Sequence, residues 1–243
     1  MIEVVGFHKQ YHEVTAVDDL SFSVAPGQVL GLVGPNGAGK TTTLRTLSGI
    51  IPPTRGDLSI GGFDIVKAPV EAKKRLAYIP DEPKLFDSLT IWEHLEFTAS
   101  AYGVGDFVKK AEALLEAFQL SEKRSTLAQE LSRGMRQKTA VCCAYLHDPV
   151  AILFDEPMVG LDPRGMRTIK ESIRERADSG SAIIISSHML SLVEDLCTDL
   201  LILHRGKRLF LGSVDEARET YGNLEEEGSI EDVFFRATEG QEN

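Results

Sequence analysis

Gly34-Pro35-Asn36-Gly37-Ala38-Gly39-Lys40-Thr41 is the stretch from which the fold can be read. It has the form G-x-x-x-x-G-K-T, a phosphate-binding loop. Its glycines let successive backbone N–H groups turn inward and cradle phosphate oxygens. Lys40 is expected to reach the β- and γ-phosphates, and the Thr41 hydroxyl to ligate Mg²⁺. The flanks suit this role. Val29-Leu30-Gly31-Leu32-Val33 is a short apolar run fit for a buried strand, and Thr42 to Gly49 can form a helix. The N-terminal dipole of that helix points at the anion. Strand, loop and helix in this order predict a nucleoside triphosphate bound by residues 34–42, Thr42 included.

Upstream, residues 2–7 alternate loosely and residues 17–24 alternate more clearly, as strands of a half-exposed antiparallel sheet do. Downstream, Pro52-Pro53-Thr54-Arg55-Gly56 ends the first helix, and Asp57 to Ile60 and Leu76 to Ile79 read as further strands. From about Leu85 the period becomes helical. Thr90 is an N-cap with Glu93 three residues on, Val108 to Phe118 is amphipathic, and a third helix spans Ser132 to His147. Strand character returns at Ala151–Phe154, Ala182–Ile185 and Leu200–Leu203, alternating with helical stretches near 163–178 and 189–196. This pattern predicts an α/β fold: a P-loop NTPase (RecA-like) core with a mostly parallel sheet covered on both faces. The core is expected over 1–84 and 150–214, with an N-terminal antiparallel β subdomain, an all-helical insertion at 85–149 and an acidic tail at 215–243.

Bulk properties narrow the function classes. The 243 residues are 42% hydrophobic and 26% charged, ordinary for a globular protein, and sufficient for one large domain. No apolar run approaches the roughly 18 residues needed to cross a membrane, and the N-terminus lacks the features of a signal peptide. These points predict a cytosolic chain. Cys142, Cys143 and Cys197 fit a reducing compartment and read as small apolar fillers. Of the net charge of −11, the last 29 residues carry −8, with ten acidic and two basic side chains. The rest is close to neutral, so the basic face that nucleic-acid binding needs is missing.

A phosphate loop alone hydrolyses nothing; it needs a metal-binding carboxylate and a group that activates water. Ile152-Leu153-Phe154-Asp155-Glu156 supplies both at the carboxyl end of a predicted parallel strand, where ligands collect. Asp155 is suited to hold Mg²⁺ through a bound water, and Glu156 to polarise a water for in-line attack on the γ-phosphate. Ile183-Ile184-Ile185-Ser186-Ser187-His188 ends a second strand in a histidine, which can donate to the γ-phosphate or orient the water.

With these motifs in hand, the chain resembles the ATP-binding subunits of ABC transporters over essentially its whole length. Leu131-Ser132-Arg133-Gly134-Met135-Arg136-Gln137 is similar to the L-S-G-G-Q signature and stands 24 residues before Asp155. Gly160-Leu161-Asp162 resembles the D-loop, Ser187-His188 the H-loop, and Tyr11 the aromatic that stacks on adenine. The resemblance implies ATP and Mg²⁺ as cofactors. It also implies a second cassette packed head to tail, with Ser132, Arg133, Gly134, Met135 and Asp162 reaching the ATP held by the partner. A transmembrane permease in another polypeptide, contacted near Asp81 and the helical insertion, would hold the chain at the cytoplasmic face of the membrane. Export-type cassettes are the most similar. A non-transport ATPase acting on ribosomes, DNA or cluster assembly is the alternative.

Two departures from the family pattern stand out. Arg133 occupies a usual glycine and Met135 a usual glutamine. Asp81, in Tyr78-Ile79-Pro80-Asp81-Glu82-Pro83, aligns with the Q-loop glutamine that touches Mg²⁺, and as a hard oxygen donor it is expected to be a third metal ligand beside Thr41 and Asp155.

Overall fold

Ile2–Tyr11 (β1) and Val14–Val24 (β2) form a long hairpin, and Arg55–Ile60 (β4) and Phe63–Asp64 (β5) complete a four-stranded antiparallel sheet in the order β2-β1-β4-β5. The computed structural model describes residues 1–221; the rest of the acidic tail lies outside the described residues. β1 and β2 are longer than their alternation suggested. Register shifts between Val4 and Phe7, Phe7 and Lys9, and Lys9 and Gln10 interrupt the two-residue period, which hides the strand's continuation.

The second sheet, among the described residues, has six strands in the order β10-β9-β3-β8-β7-β6. They are Val29–Val33 (β3), Leu76–Ile79 (β6), Ala151–Asp155 (β7), Ala182–Ser186 (β8), Asp199–His204 (β9) and Lys207–Ser213 (β10). All pair in parallel except β10, which runs antiparallel to β9. β3, β7 and β8 are buried along their whole lengths, as strands covered on both faces must be. Alternate residues divide between two cores. Leu30, Leu32, Leu153 and Ile184 pack with Leu44 and Leu47 of helix α1 (Lys40–Leu47) and with Phe7, Leu20 and Leu58 of the antiparallel sheet. Ile152, Phe154, Ile183 and Ile185 pack on the opposite face with Leu95, Leu115, Val141 and Ile173 from helices described below.

A short helix α2 (Pro69–Lys73) precedes β6. Between β6 and β7 run α3 (Ile91–Tyr102), α4 (Phe107–Ala117) and α5 (Arg133–Tyr145). α3 begins on a capping box: Glu93 N–H donates to Thr90 Oγ1 at 3.2 Å, and Thr90 N–H donates to Glu93 Oε2 at 2.7 Å. Then α6 (Pro163–Asp178) and α7 (Leu190–Leu196) alternate with strands, and α8 (Val214–Tyr221) ends the described chain. The sequence does not announce β5, β10 or α2. β5 has two residues, and β10 is a half-exposed edge strand without clean alternation.

Candidate functional site

The strand order decides what meets what. β8 lies between β3 and β7, so the loops leaving these strands open side by side at their carboxyl ends. They carry the phosphate loop, Ser187-His188 and Asp155-Glu156.

The phosphate loop is braced from both sheets. Gly206 N–H donates to the Ala38 carbonyl at 3.1 Å, and Asp18 N–H to the Gly206 carbonyl at 2.8 Å. Two glycines are required by this packing. A Cβ on Gly34 would collide with the Leu203 carbonyl oxygen. Gly39 sits at φ +105°, and a Cβ there would fall 2.7 Å from the Ala16 carbonyl oxygen. Asn36 and Gly37 form the exposed tip, with Pro35 half-buried and Ala38 buried. Lys40 Nζ donates to the Gly34 carbonyl at 2.7 Å and the Pro35 carbonyl at 3.3 Å, which holds the ammonium over the loop. Burial lowers its pKa, opposed by the carboxylates of Glu156 and Asp155.

Asp155 is 4% exposed and bonded on both carboxylate oxygens. Its Oδ1 accepts from Ser186 Oγ at 2.8 Å and Thr41 Oγ1 at 3.3 Å, and its Oδ2 accepts from the Tyr78 hydroxyl at 3.2 Å. Burial, then the nearby Asp155 charge, pushes the Tyr78 phenol up to about 12, so it remains a donor across physiological pH. A single carboxylate beside a hydroxyl is the oxygen set that suits a small hard divalent ion finishing its shell with water and phosphate. Thr41 and Asp155 therefore fit a metal.

Glu156 adopts φ +51°, uncommon for a residue with a side chain. Its N–H is tied to the Ser186 carbonyl at 2.9 Å, which turns the chain sharply off β7. Three donors converge on Glu156 Oε2: Ser187 Oγ at 3.4 Å, His188 N–H at 3.3 Å and His188 Nδ1 at 2.8 Å. A carboxylate only accepts, so Nδ1 carries the proton and Nε2 is the second edge of a ring that is 63% exposed. Donation from Nε2 to a phosphate then requires the imidazolium. This pair can fix a carboxylate for general-base work on a water.

The structure places the other predicted residues further out. Tyr11 ends β1, is exposed, and has Lys9 Nζ 4.8 Å from its ring centroid. Ser132 caps α5, its Oγ accepting from Met135 N–H at 3.3 Å. Gly134 faces the Gly160 turn: a Cβ there would lie 3.3 Å from Leu161 Cδ2 and 3.5 Å from the Gly160 carbonyl oxygen. Met135 packs against the helical-side core. Asp162 caps α6, accepting from Gly165 N–H at 2.8 Å.

Asp81, expected beside Thr41 and Asp155 at the metal, is paired elsewhere: its Oδ1 accepts from Arg133 Nη2 at 2.9 Å. Two of the three unusual residues of the sequence thus neutralise each other. Conversely, Ser186 and Tyr78 hold Asp155 and carried no role in the sequence reading. Their signal was a hydroxyl at the end of a strand, informative only once the register pairs Asp155 with Ser186 and Phe154 with Ile79.

A phosphate loop beside a buried strand-end aspartate and a fixed glutamate defines a P-loop nucleotide hydrolase. Residues 17–159 match the ABC transporter family, and the chain belongs to it. It is 33% identical over 230 residues to the ABC-type transporter ATP-binding protein EcsA of Bacillus subtilis (strain 168), covering 94% of this chain and 92% of that protein. It is 34% identical to the SkfA peptide export ATP-binding protein SkfE of the same organism, covering 85% and 87%. The solved structure of an ATP-binding subunit of an ABC transporter superposes with a TM-score of 0.93 at 33% identity, over 98% of this chain and 99% of that one. The protein is the ATP-binding and ATP-hydrolysing subunit of an ABC transporter.

Proposed function

We propose that this cassette powers an exporter whose permease is a separate polypeptide, working as a dimer of cassettes at the cytoplasmic face of the membrane. The observation that carries the reading is an apolar groove of about 400 Å³ at the open edge of β6, remote in character from the polar nucleotide site. Ile50, Tyr78 and Pro80 form one side, and Tyr102, Cys143 and His147 of the helical region the other. Exposed Phe86 and Phe97, next in sequence to the lining residues Leu85 and Thr98, are each 55% accessible and in edge-to-face contact at 5.5 Å. Rigid exposed aromatics beside an apolar groove suit a helix or loop presented by a membrane partner. No helix among the described residues is long and apolar enough to cross a membrane, so the spanning part of the transporter comes from another segment. The export direction is supported by relatives such as the peptide export protein.

Within the cassette, residues 1–84 and 150–214 serve as the nucleotide-binding core and 85–149 as the helical part that relays movement. Lys40 and the loop N–H groups hold the triphosphate of ATP, Tyr11 stacks on adenine, and Thr41 and Asp155 hold Mg²⁺. Bound there, Mg²⁺ neutralises charge on the phosphates. Glu156 takes the proton of the attacking water and His188 keeps Glu156 oriented. The second cassette packs head to tail, so that Ser132, Arg133, Gly134, Met135 and Asp162 complete the opposite site. The exposed α5 N-terminus, an anion-favouring helix end, supports this.

The test is a pull-down of tagged Glu156→Gln protein from detergent-solubilised membranes with ATP. A co-purifying polytopic membrane protein is the expected result. Recovery of ribosomes, nucleic acid or soluble proteins alone would overturn the proposed partnership with a separate permease.

A further inference from the structure

Tyr78 belongs to two places at once. At the end of edge strand β6 it lines the apolar groove together with Ile50, Pro80 and Tyr102. Its hydroxyl meanwhile reaches inward and donates to Asp155 Oδ2 at 3.2 Å. The other carboxylate oxygen is engaged by Ser186 and Thr41. Donors on both oxygens fix the rotation of the Asp155 carboxylate about its last bond. Thr41 and Ser186 cannot do this alone, because both act on Oδ1. Three residues further on, Asp81 offers no parallel link, since its carboxylate is paired with Arg133.

We propose that Tyr78 is a positioning residue for the metal-binding carboxylate, joining the docking groove to Asp155 through one side chain. Ring displacement in the groove moves the hydroxyl and hence the orientation of Asp155. Occupancy of the groove is thereby translated into affinity for Mg²⁺-nucleotide. The link to the permease rests on reading the groove as its dock; the positioning of Asp155 does not.

Tyr78→Phe keeps the ring and deletes only the donor. Mg²⁺ titration of fluorescent ATP-analogue binding, in a Glu156→Gln background to prevent turnover, reads the effect directly. Groups that orient a metal ligand typically contribute about ten-fold or more to metal affinity. The expected result is a midpoint raised roughly ten-fold, with binding in excess Mg²⁺ little changed. A midpoint that superimposes on that of the Tyr78-containing protein, with equal melting temperatures, would overturn the proposal. In the complex with co-purified permease, the Tyr78 protein should shift its midpoint relative to the free cassette, and Tyr78→Phe should not. Equal shifts in both would overturn the link to the groove. If groove-flanking substitutions leave permease binding intact while Tyr78→Phe still shifts the free cassette, the dock is misassigned and the positioning role stands.

Discussion

At the scale of the residue, Glu156 shows how an uncommon backbone angle fixes the direction of a carboxylate. At φ +51° it sits where a side chain is unfavourable, yet its N–H bond to Ser186 and the donors on Oε2 determine that conformation. Glutamine can present an amide oxygen to the same donors, so Glu156→Gln should preserve the turn and the fold. It cannot take a proton from water. ATP binding should therefore stay near that of the unmodified protein while turnover falls on the order of 10²-fold or more. Single-turnover hydrolysis measured beside equilibrium ATP binding checks this, and near-normal turnover would remove Glu156 from the base role. Lys40, Asp155, Glu156 and His188, which the fold brings together, could be singled out in the sequence because each stands at a fixed offset within a motif. Ser186 and Tyr78 were not. Their contribution depends on which strand neighbours β7 and in which register, and that is fixed by long-range pairing rather than by local spacing.

At the scale of elements, three loops converge on Arg133. It opens α5, pairs with Asp81 in the segment after β6, and lies against the Gly160 turn ahead of α6, where a Cβ would come within 2.6 Å of Arg133 Cδ. Both partners of the ion pair are 47% exposed, so the bond itself contributes only about 0.2–1 kcal/mol. Its larger consequence is electrostatic. With Arg133 beside it, the Asp81 carboxylate adds little net repulsion to bound ATP. Arg133→Gly should expose that charge, and nucleotide affinity should then depend more steeply on Mg²⁺ than in the unmodified protein. Adding Asp81→Gln should restore the original dependence, whereas Asp81→Gln alone should change it little. Isothermal titration at several Mg²⁺ concentrations across this double-mutant cycle gives the answer. Additive effects of the two substitutions would show that the pair does not act as a unit. The sequence exposed both departures and could not show that they touch. They are 52 residues apart, and a helical excursion lies between them.

At the scale of the molecule, polar and apolar work are separated. The nucleotide chemistry proposed above falls at the carboxyl ends of β3, β7 and β8, while the groove at the β6 edge is walled mostly by apolar side chains from both the sheet and α3 and α5. Sequence periodicity foresaw α3 and α5 but not the groove, because the groove arises from where these two helices meet the sheet edge. Phe86 is held in place rather than loosely displayed. Its N–H donates to buried His94 Nε2 at 2.9 Å, and its ring stacks on the same imidazole at 6.0 Å. A fixed, exposed aromatic loses little conformational freedom on binding, which is why such residues dominate interfaces. Replacing Phe86 and Phe97 together by serine should leave the nucleotide site untouched, since neither side chain bonds to it. ATP hydrolysis by the free cassette should remain within about two-fold, and the melting temperature should change little because both rings are largely exposed. Co-purification with the permease should fall by at least roughly ten-fold, as expected for losing aromatic anchors each contributing about 1–2 kcal/mol. Undiminished recovery of the membrane partner by this variant would place the dock elsewhere on the surface. A parallel loss of hydrolysis would instead mean that the groove supports the nucleotide site from within the same chain.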